Sequence, residues 1–215
     1  MILGAAAMLP AAAFAETPQN AISPDAALAR LIEGNARYAE NKPTQQDYSA
    51  GRARRSVGQH PIAAILSCSD SRVAPELAFD QGPGDLFVVR VAGNFVNDDG
   101  LASIEYAIKY LGAPLIMVLG HVNCGAVDAT IKVVRDNVTL PGHLPDMIRE
   151  IKPAVEVALR DHKDDVLAAA IIENVRLGVH RLEAADPILS GFVQQGRLKI
   201  VGGLYDLSTG KISLI

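Results

Sequence analysis

The chain has 215 residues, of which 49% are hydrophobic and 20% are charged, and these proportions favour one folded domain with a sizeable core. Its net charge of −4, with basic residues scattered apart from Arg52, Arg54 and Arg55, argues against a nucleic-acid surface. The lack of tryptophan and an aromatic content of 5% also argue against a platform for stacking bases.

The first 15 residues are apolar and alanine-rich, and they end in Ala13-Phe14-Ala15. A short hydrophobic stretch followed by small residues is typical of an export signal and its cleavage site. The stretch is too short for a stable membrane span, and no lysine or arginine precedes Arg30. We expect residues 1–15 to be a cleaved signal, which makes the mature chain, 16–215, periplasmic or secreted. If the stretch is only an apolar tail, the protein is cytoplasmic.

Ser23-Pro24-Asp25 predicts the start of the first helix, because serine caps helix N-termini and proline suits the first turn. Apolar residues then recur at helical spacing from Ala27 to Ala36. The polar segment Asn41–Gln59 is expected to be a connector with one short helix. The domain therefore begins with a helical arm that precedes the first strand.

Three apolar runs without polar alternation predict strands that are covered on both faces of a parallel sheet. Helical stretches separate them, and such alternation implies right-handed crossovers. We predict an α/β fold with a mostly parallel central sheet, flanking helices and the N-terminal helical arm. The three runs are Ile62–Ser67, Asp85–Val91 and Leu115–Gly120. Lys199–Leu204 is a fourth strand candidate, and Lys211–Leu214 is expected to pair with it across a short turn. The predicted helices after the arm are Leu101–Leu111, one running on from Ala126, Asp146–Asp161 and Asp164–Ala185.

Both cysteines of the chain lie in short polar clusters that follow two of these strands. Cys68 ends the first run and precedes Asp70 and Arg72, while His121 ends the third run and Cys124 follows it. The carboxyl ends of parallel strands meet at one edge of a sheet, where ligands bind. Zinc accepts sulfur, nitrogen and oxygen donors. We therefore interpret the two thiols, the imidazole and the carboxylate as a catalytic zinc site.

Other interpretations of these residues stay open. In an oxidising compartment Cys68 and Cys124 would be able to form a disulfide, or both would be buried free thiols. Neither alternative explains why Asp70 and His121 lie so close to the cysteines in sequence. Asp70 alone would suit a helix N-cap, and Arg72 alone a surface ion pair. The combination favours a metal site.

Two segments of the chain, Cys68-Ser69-Asp70-Ser71-Arg72-Val73 and Gly120-His121-Val122-Asn123-Cys124-Gly125-Ala126, resemble the signature motifs of β-class carbonic anhydrases. The similarity extends to Phe87–Asn94 and Ile104–Ala107 and is strong from about Gly58 to Val127. It implies the fold of that family, a zinc-dependent lyase that interconverts CO₂ and bicarbonate, and assembly as a homodimer or homotetramer.

The resemblance also implies roles for single residues. Cys68, His121 and Cys124 would be the constant ligands of one Zn²⁺ per chain, on which hydroxide forms and attacks CO₂. Asp70 and Arg72 would be the catalytic dyad: in an open state Arg72 holds Asp70 off the metal, and in a closed state Asp70 is the fourth ligand. The residues that match the CO₂ pocket are Gln59, Phe87, Tyr106 and Asn94, of which Gln59 would serve the partner subunit's site and Asn94 would be structural.

Some members of that family carry a regulatory bicarbonate site made of a tryptophan, an arginine and a tyrosine. Arg90 and Tyr106 match the last two positions, whereas Ile65 stands at the tryptophan position. This departure favours the open form of the site.

Two other functions remain possible on the sequence alone. A hydrolase of CS₂ or COS would use the same ligands, because pocket width and access select the substrate. A non-catalytic zinc or thiol redox protein would use Cys68 and Cys124 as a switch, although it needs no arginine that orients a carboxylate. We expect CO₂ and bicarbonate as substrates, no nucleic-acid partner and no stable membrane span.

Overall fold

The computed structural model describes residues 22–162 and 164–215, so the predicted export signal lies outside the described residues. Their centre is a sheet with the strand order β2-β1-β3-β4-β5. Its strands are β1 (Ala63–Ser67), β2 (Leu86–Arg90), β3 (Leu115–His121), β4 (Lys199–Tyr205) and β5 (Ile212–Leu214). The first four are parallel and β5 is antiparallel to β4, which confirms the predicted α/β fold with a mostly parallel sheet.

The helices of the described residues lie between and around these strands. They are α1 (Pro24–Ala39), α2 (Arg52–Arg55), α3 (Pro75–Ala78), α4 (Asp98–Lys109), α5 (Gly125–Asp136), α6 (Leu144–Asp161), α7 (Val166–Glu183) and α8 (Leu189–Gln194). In the part of the chain that the structure describes, none of them is long and apolar enough to cross a membrane.

Apolar packing covers both faces of the sheet. One core cluster joins the sheet to α1 and α3, and another joins it to α4, α7 and α8. The N-terminal helix packs on its own chain, since Ala27 and Leu31 are fully buried against that first cluster. Asn35 fastens it further by donating hydrogen bonds to the carbonyls of Ala78 and Gly210. The predicted arm is thus part of the domain's own core.

Strand order decides where the polar clusters meet. β1 and β3 are parallel neighbours, with Ser67 opposite Leu119, so the residues after β1 and those at the end of β3 share one edge. A third core cluster, built from α5, α6 and α7, encloses that edge. At the other side of β1, β2 is an edge strand whose residues are partly buried and whose last residue, Arg90, is exposed. The cover on both faces that was predicted for all three apolar runs is therefore incomplete for this strand, because an edge strand has a neighbour on one side only.

Candidate active site

Two cysteines and a histidine come together at the carboxyl edge of the sheet. The ligand atoms of Cys68, His121 and Cys124 all lie within 4.8 Å of one another. The three residues are 4%, 0% and 1% exposed, respectively, so the group is closed off from bulk water by protein. Cys68 follows β1, His121 ends β3 and Cys124 caps the N-terminus of α5. The predicted convergence of these three side chains is therefore found.

The donor set fits a zinc ion. Two thiolates at about 2.3 Å from a tetrahedral zinc lie about 3.8 Å apart, and the two Sγ atoms here are 4.0 Å apart. Nε2 of His121 is buried without a hydrogen-bond partner, whereas Nδ1 lies 2.9 Å from the Val122 carbonyl oxygen. When Nδ1–H donates to that carbonyl, the lone pair on Nε2 is left for a metal. Both cysteines are free thiols.

The surroundings favour negative charge on Cys68. A hydrogen bond from Cys124 lowers the pKa of Cys68 against the opposing effect of burial, and contacts with His121 and the Gly93 N–H add to the lowering. The same sulfur contact, together with burial, raises the pKa of Cys124, although N–H groups at the start of α5 act in the opposite direction. An anionic sulfur is the form that binds metals.

A carboxylate and its arginine stand beside this group. Arg72 donates from its backbone N–H and Nε to Oδ1 of Asp70, both at 2.9 Å, and from its terminal nitrogen to Oδ2 at 2.7 Å. The hydrogen bonds from Arg72 hold the pKa of Asp70 well below its usual range. Oδ2 lies 3.8 Å from Nε2 of His121, yet Asp70 is outside the group of three. In this geometry Asp70 is paired with Arg72 and is not one of the three grouped donors.

The loop that carries Cys68 and the dyad is tied to β2 by Arg90. Its guanidinium donates to the carbonyl oxygens of Cys68 at 3.1 Å, Asp70 at 2.7 Å and Val73 at 2.8 Å. The family resemblance matches Arg90 to a regulatory position. In the structure, these three hydrogen bonds show that Arg90 supports the loop. Its place at the end of β2, beside Ser67 in the sheet register, is the signal that points to this function.

Of the predicted pocket residues, Asn94 directly follows a residue that contacts the sulfur of Cys68. It is buried and has a left-handed backbone with φ 42°, and its Nδ2 has no hydrogen-bond partner. The preceding residue, Gly93, donates its N–H to the sulfur of Cys68 at 3.2 Å. Asn94 thus belongs to the backbone turn that contacts a candidate ligand.

The other three pocket residues lie elsewhere. Phe87 on β2 and Tyr106 on α4 have ring centroids 6.4 Å apart at the free edge of the sheet, and Tyr106 is 48% exposed. Gln59 is exposed and lines a groove with α2 residues and the turn Gly82–Asp85. None of the residues lining that groove is a candidate ligand.

Comparisons with known proteins agree on one family. The sequence profile described as carbonic anhydrase matches residues 63–212. Carbonic anhydrase 2 of Mycobacterium tuberculosis is 39% identical over 196 residues, which cover 89% of this chain and 93% of the relative. The structure of the β-carbonic anhydrase CcaA has a TM-score of 0.70 and 30% identity, covering 87% of this chain and 94% of that one. A structure from work on two tetrameric β-carbonic anhydrases of Sordaria macrospora, at 24% identity, covers 87% of this chain and 96% of that one with a TM-score of 0.69, which shows the same fold.

Proposed function

Because the chain belongs to the β-class carbonic anhydrase family, whose general reaction is the hydration of CO₂, we propose that its cofactor is a single zinc ion held by Cys68, His121 and Cys124. The observation that carries the proposal is the buried group of three donors with the unpartnered Nε2 of His121, flanked by a carboxylate held by an arginine. A zinc ion bound there supplies a water molecule of lowered pKa, and hence a nucleophile for CO₂ near neutral pH.

The dyad orients that nucleophile. The carboxylate of Asp70 accepts the hydrogen of the attacking water and so directs an oxygen lone pair towards the carbon of CO₂. Arg72 fixes both carboxylate oxygens, which keeps Asp70 ionised and prevents it from turning towards the three donors. Arg90 holds the backbone of the loop that carries both dyad residues, because it donates a hydrogen bond to the carbonyl oxygen of Asp70.

The two thiolates set the pH dependence. Cys68 and Cys124 together cancel the formal charge of a divalent ion, so they weaken its effect on the pKa of the water more than three neutral imidazoles would. We therefore expect CO₂ hydration to rise with pH through the neutral and mildly alkaline range.

We also propose a homodimer or homotetramer in which the CO₂ pocket forms between subunits. Phe87, Tyr106 and Gln59 lie at the free edge of the sheet or in an exposed groove, away from the three donors of their own chain. If a second chain binds at this edge, these three side chains would lie close to the Cys-His-Cys group of that second chain. Tetramers are described among the structurally similar β-carbonic anhydrases.

The localisation proposal depends on residues 1–15 alone. We propose that they are removed on export and that residues 16–215 form a single catalytic domain in the periplasm or outside the cell. N-terminal sequencing of the protein from periplasmic and cytoplasmic fractions tests this. A mature chain beginning at Glu16 in the periplasm is expected, and an uncleaved chain confined to the cytoplasm would contradict it.

The function is tested by measuring CO₂ hydration and CS₂ hydrolysis on the same zinc-loaded preparation. We expect CO₂ hydration, and we expect Cys124→Ser to lose both zinc and activity because it removes a ligand. CS₂ turnover without CO₂ hydration would favour the hydrolase of a CO₂ analogue. Metal analysis beside a thiol titration tests the redox alternative: one bound metal and no disulfide would favour the enzyme, and a Cys68–Cys124 disulfide would favour the redox protein.

A further inference from the structure

A buried asparagine in α7 makes a contact that its own helix does not explain. Asn174 is 2% exposed and lies among buried apolar neighbours such as Ile171 and Val175. Asparagine is a poor helix former, and a buried amide is costly unless it is hydrogen-bonded. Its Nδ2 donates to the carbonyl oxygen of Gly93 at 2.8 Å, across 81 positions of the chain. The residue therefore serves the turn after β2.

Gly93 in turn contacts the sulfur of a candidate ligand. Its N–H donates to Sγ of Cys68 at 3.2 Å, and its backbone has φ +88°, a conformation that glycine adopts without strain. A Cβ at this position would lie 2.5 Å from Cδ1 of Ile151 on α6, so the helix side chain closes the space beside the turn. Gly93 is thus held by α6 on one side and by Asn174 on another.

We propose that Asn174 is a positioning residue of the metal centre, because it fixes the Gly93 carbonyl and thereby directs the Gly93 N–H at the Cys68 sulfur. Only two backbone torsions separate the N–H and the carbonyl of Gly93, so anchoring one limits the direction of the other. Hydrogen bonds from surrounding groups orient metal ligands and tune their donor strength. The inference rests on the proposed zinc site and adds to it a residue outside both sequence motifs.

A purely structural function for Asn174 predicts a change in stability without a change at the metal centre. If the amide only satisfies a buried carbonyl, its loss lowers the free energy of unfolding and leaves the metal centre unchanged. If it positions the N–H···S contact, its loss releases that contact and makes the sulfur a more strongly electron-donating and less well-oriented ligand. A readout at the sulfur–metal bond separates these two cases.

The test uses Asn174→Leu, which keeps similar volume without a donor, and Asn174→Asp, which keeps the shape but puts an acceptor before the carbonyl. Asn35→Leu is the matched control, since Asn35 is also a buried helical asparagine that donates to backbone carbonyls, in α3 and in the turn between β4 and β5. In the cobalt-substituted protein, both Asn174 variants should shift the sulfur-to-metal charge-transfer band to lower energy. Zinc affinity, measured by chelator competition, should fall about 10–100-fold.

The control should lose stability and keep the wild-type band and zinc affinity. Wild-type values in folded Asn174→Leu, or the same changes in Asn35→Leu, would overturn the inference. If no variant folds, the cadmium-113 form of the wild-type protein tests the N–H···S contact on which the inference depends: scalar coupling between the metal and the Gly93 amide proton is expected, and its absence overturns the inference. A wild-type chain that binds no zinc, cobalt or cadmium would instead overturn the proposed function itself.

Discussion

At the scale of single residues, the dyad depends on the shape of one side chain. Arg72 reaches both oxygens of Asp70 with two guanidinium nitrogens and adds its own backbone N–H to Oδ1. A lysine carries one ammonium group and cannot form this fork. The arginine is exposed, so its contribution is to hold the carboxylate in place and not to stabilise the fold.

We predict that Arg72→Lys retains zinc and loses CO₂ hydration by about 10–100-fold, because one or more charge-assisted hydrogen bonds worth roughly 1.5–3 kcal/mol are lost. Stopped-flow hydration with metal analysis measures both effects. Arg160→Lys is the control, since Arg160 forms the same fork with Asp161 on the surface of α6. Loss of zinc from Arg72→Lys, or equal losses in the two variants, would contradict the orienting function.

Residues within the two motifs were predictable, whereas those that support them from a distance were not. Cys68, His121 and Cys124 follow apolar runs, and the geometry of parallel strands predicts that such residues meet. The contact of Asn174 with Gly93 crosses 81 positions, and no local pattern indicates it. The bonds of Arg90 to three carbonyls of one loop depend on its register beside Ser67, which the structure gives and a local sequence pattern does not.

At the scale of elements, a buried carboxylate joins α1 to the connector that follows it. Asp80 accepts hydrogen bonds from Arg37 on α1 and from the backbone and hydroxyl of Thr44, and its side chain is 3% exposed. Burial raises the pKa of Asp80, but the bonds from Arg37 and Thr44 outweigh burial and keep the pKa below its usual value. The ionised carboxylate of Asp80 therefore helps to hold helix α1 and the connector after it against the rest of the domain.

We predict that Asp80→Asn lowers the free energy of unfolding by about 2 kcal/mol at pH 7, since it weakens hydrogen bonds to a charged group. Because the folded-state pKa is depressed, the stabilisation is complete above the unfolded-state pKa of about 4 and is lost as the pH falls through the folded-state pKa. Urea denaturation of both proteins between pH 7 and pH 3 measures this. A difference that stays constant or grows on acidification would refute the assignment.

Helix α1 also packs closely on the chain at Gly34. A Cβ at Gly34 would lie 1.9 Å from the carbonyl oxygen of Phe79, which cannot move without disturbing α3 and the turn after it. We predict that Gly34→Ala destabilises the protein by roughly 1–3 kcal/mol, as overpacking does. Gly191→Ala in α8, where nothing lies within 4 Å, should instead be stabilising by up to about 1 kcal/mol. Thermal or urea unfolding measures the change in stability of both variants, and equal changes would contradict the close contact between Gly34 and Phe79.

Element boundaries followed from the sequence where turn-forming or polar residues flank an apolar run. The predicted strand Leu115–Gly120 differs from β3 by one residue, because Gly112 and Pro114 precede the run and the polar residues His121 and Asn123 follow it. The short helix α8 was not predicted, since it has no side-chain cap and spans only 6 residues. α4 begins at Asp98, earlier than predicted, because the side chain of Asn97 caps it.

At the scale of the whole molecule, two of the predicted pocket residues, Phe87 and Tyr106, lie at the free edge of the sheet, apart from the three candidate ligands. Tyr106 lies half exposed beside Phe87 and Tyr110, whose rings lie near its own. Phe87 lies on the edge strand β2, whereas the two tyrosines belong to α4 and its C-terminal cap. A partly exposed aromatic cluster beside an edge strand favours contact with another chain. The sequence did not predict this arrangement, because the free edge depends on the strand order.

We predict that Tyr106→Glu shifts the protein towards monomers and lowers CO₂ hydration while zinc stays bound, because a buried unpaired charge opposes association. Size-exclusion chromatography with light scattering measures the mass. Val138→Glu adds the same charge at a residue that is 45% exposed just after α5 and should change neither property. An unaltered oligomer with full activity in Tyr106→Glu would exclude this edge as the interface.

The proposed reaction depends on the metal. The most direct measurement is stopped-flow CO₂ hydration across pH during removal and return of zinc, with the metal content of each sample determined. We expect one zinc per chain, loss of hydration in proportion to zinc removed by a chelator, recovery when zinc returns, and rates that rise with pH. Full hydration activity in metal-free protein, or no hydration in the zinc-loaded protein, would contradict it.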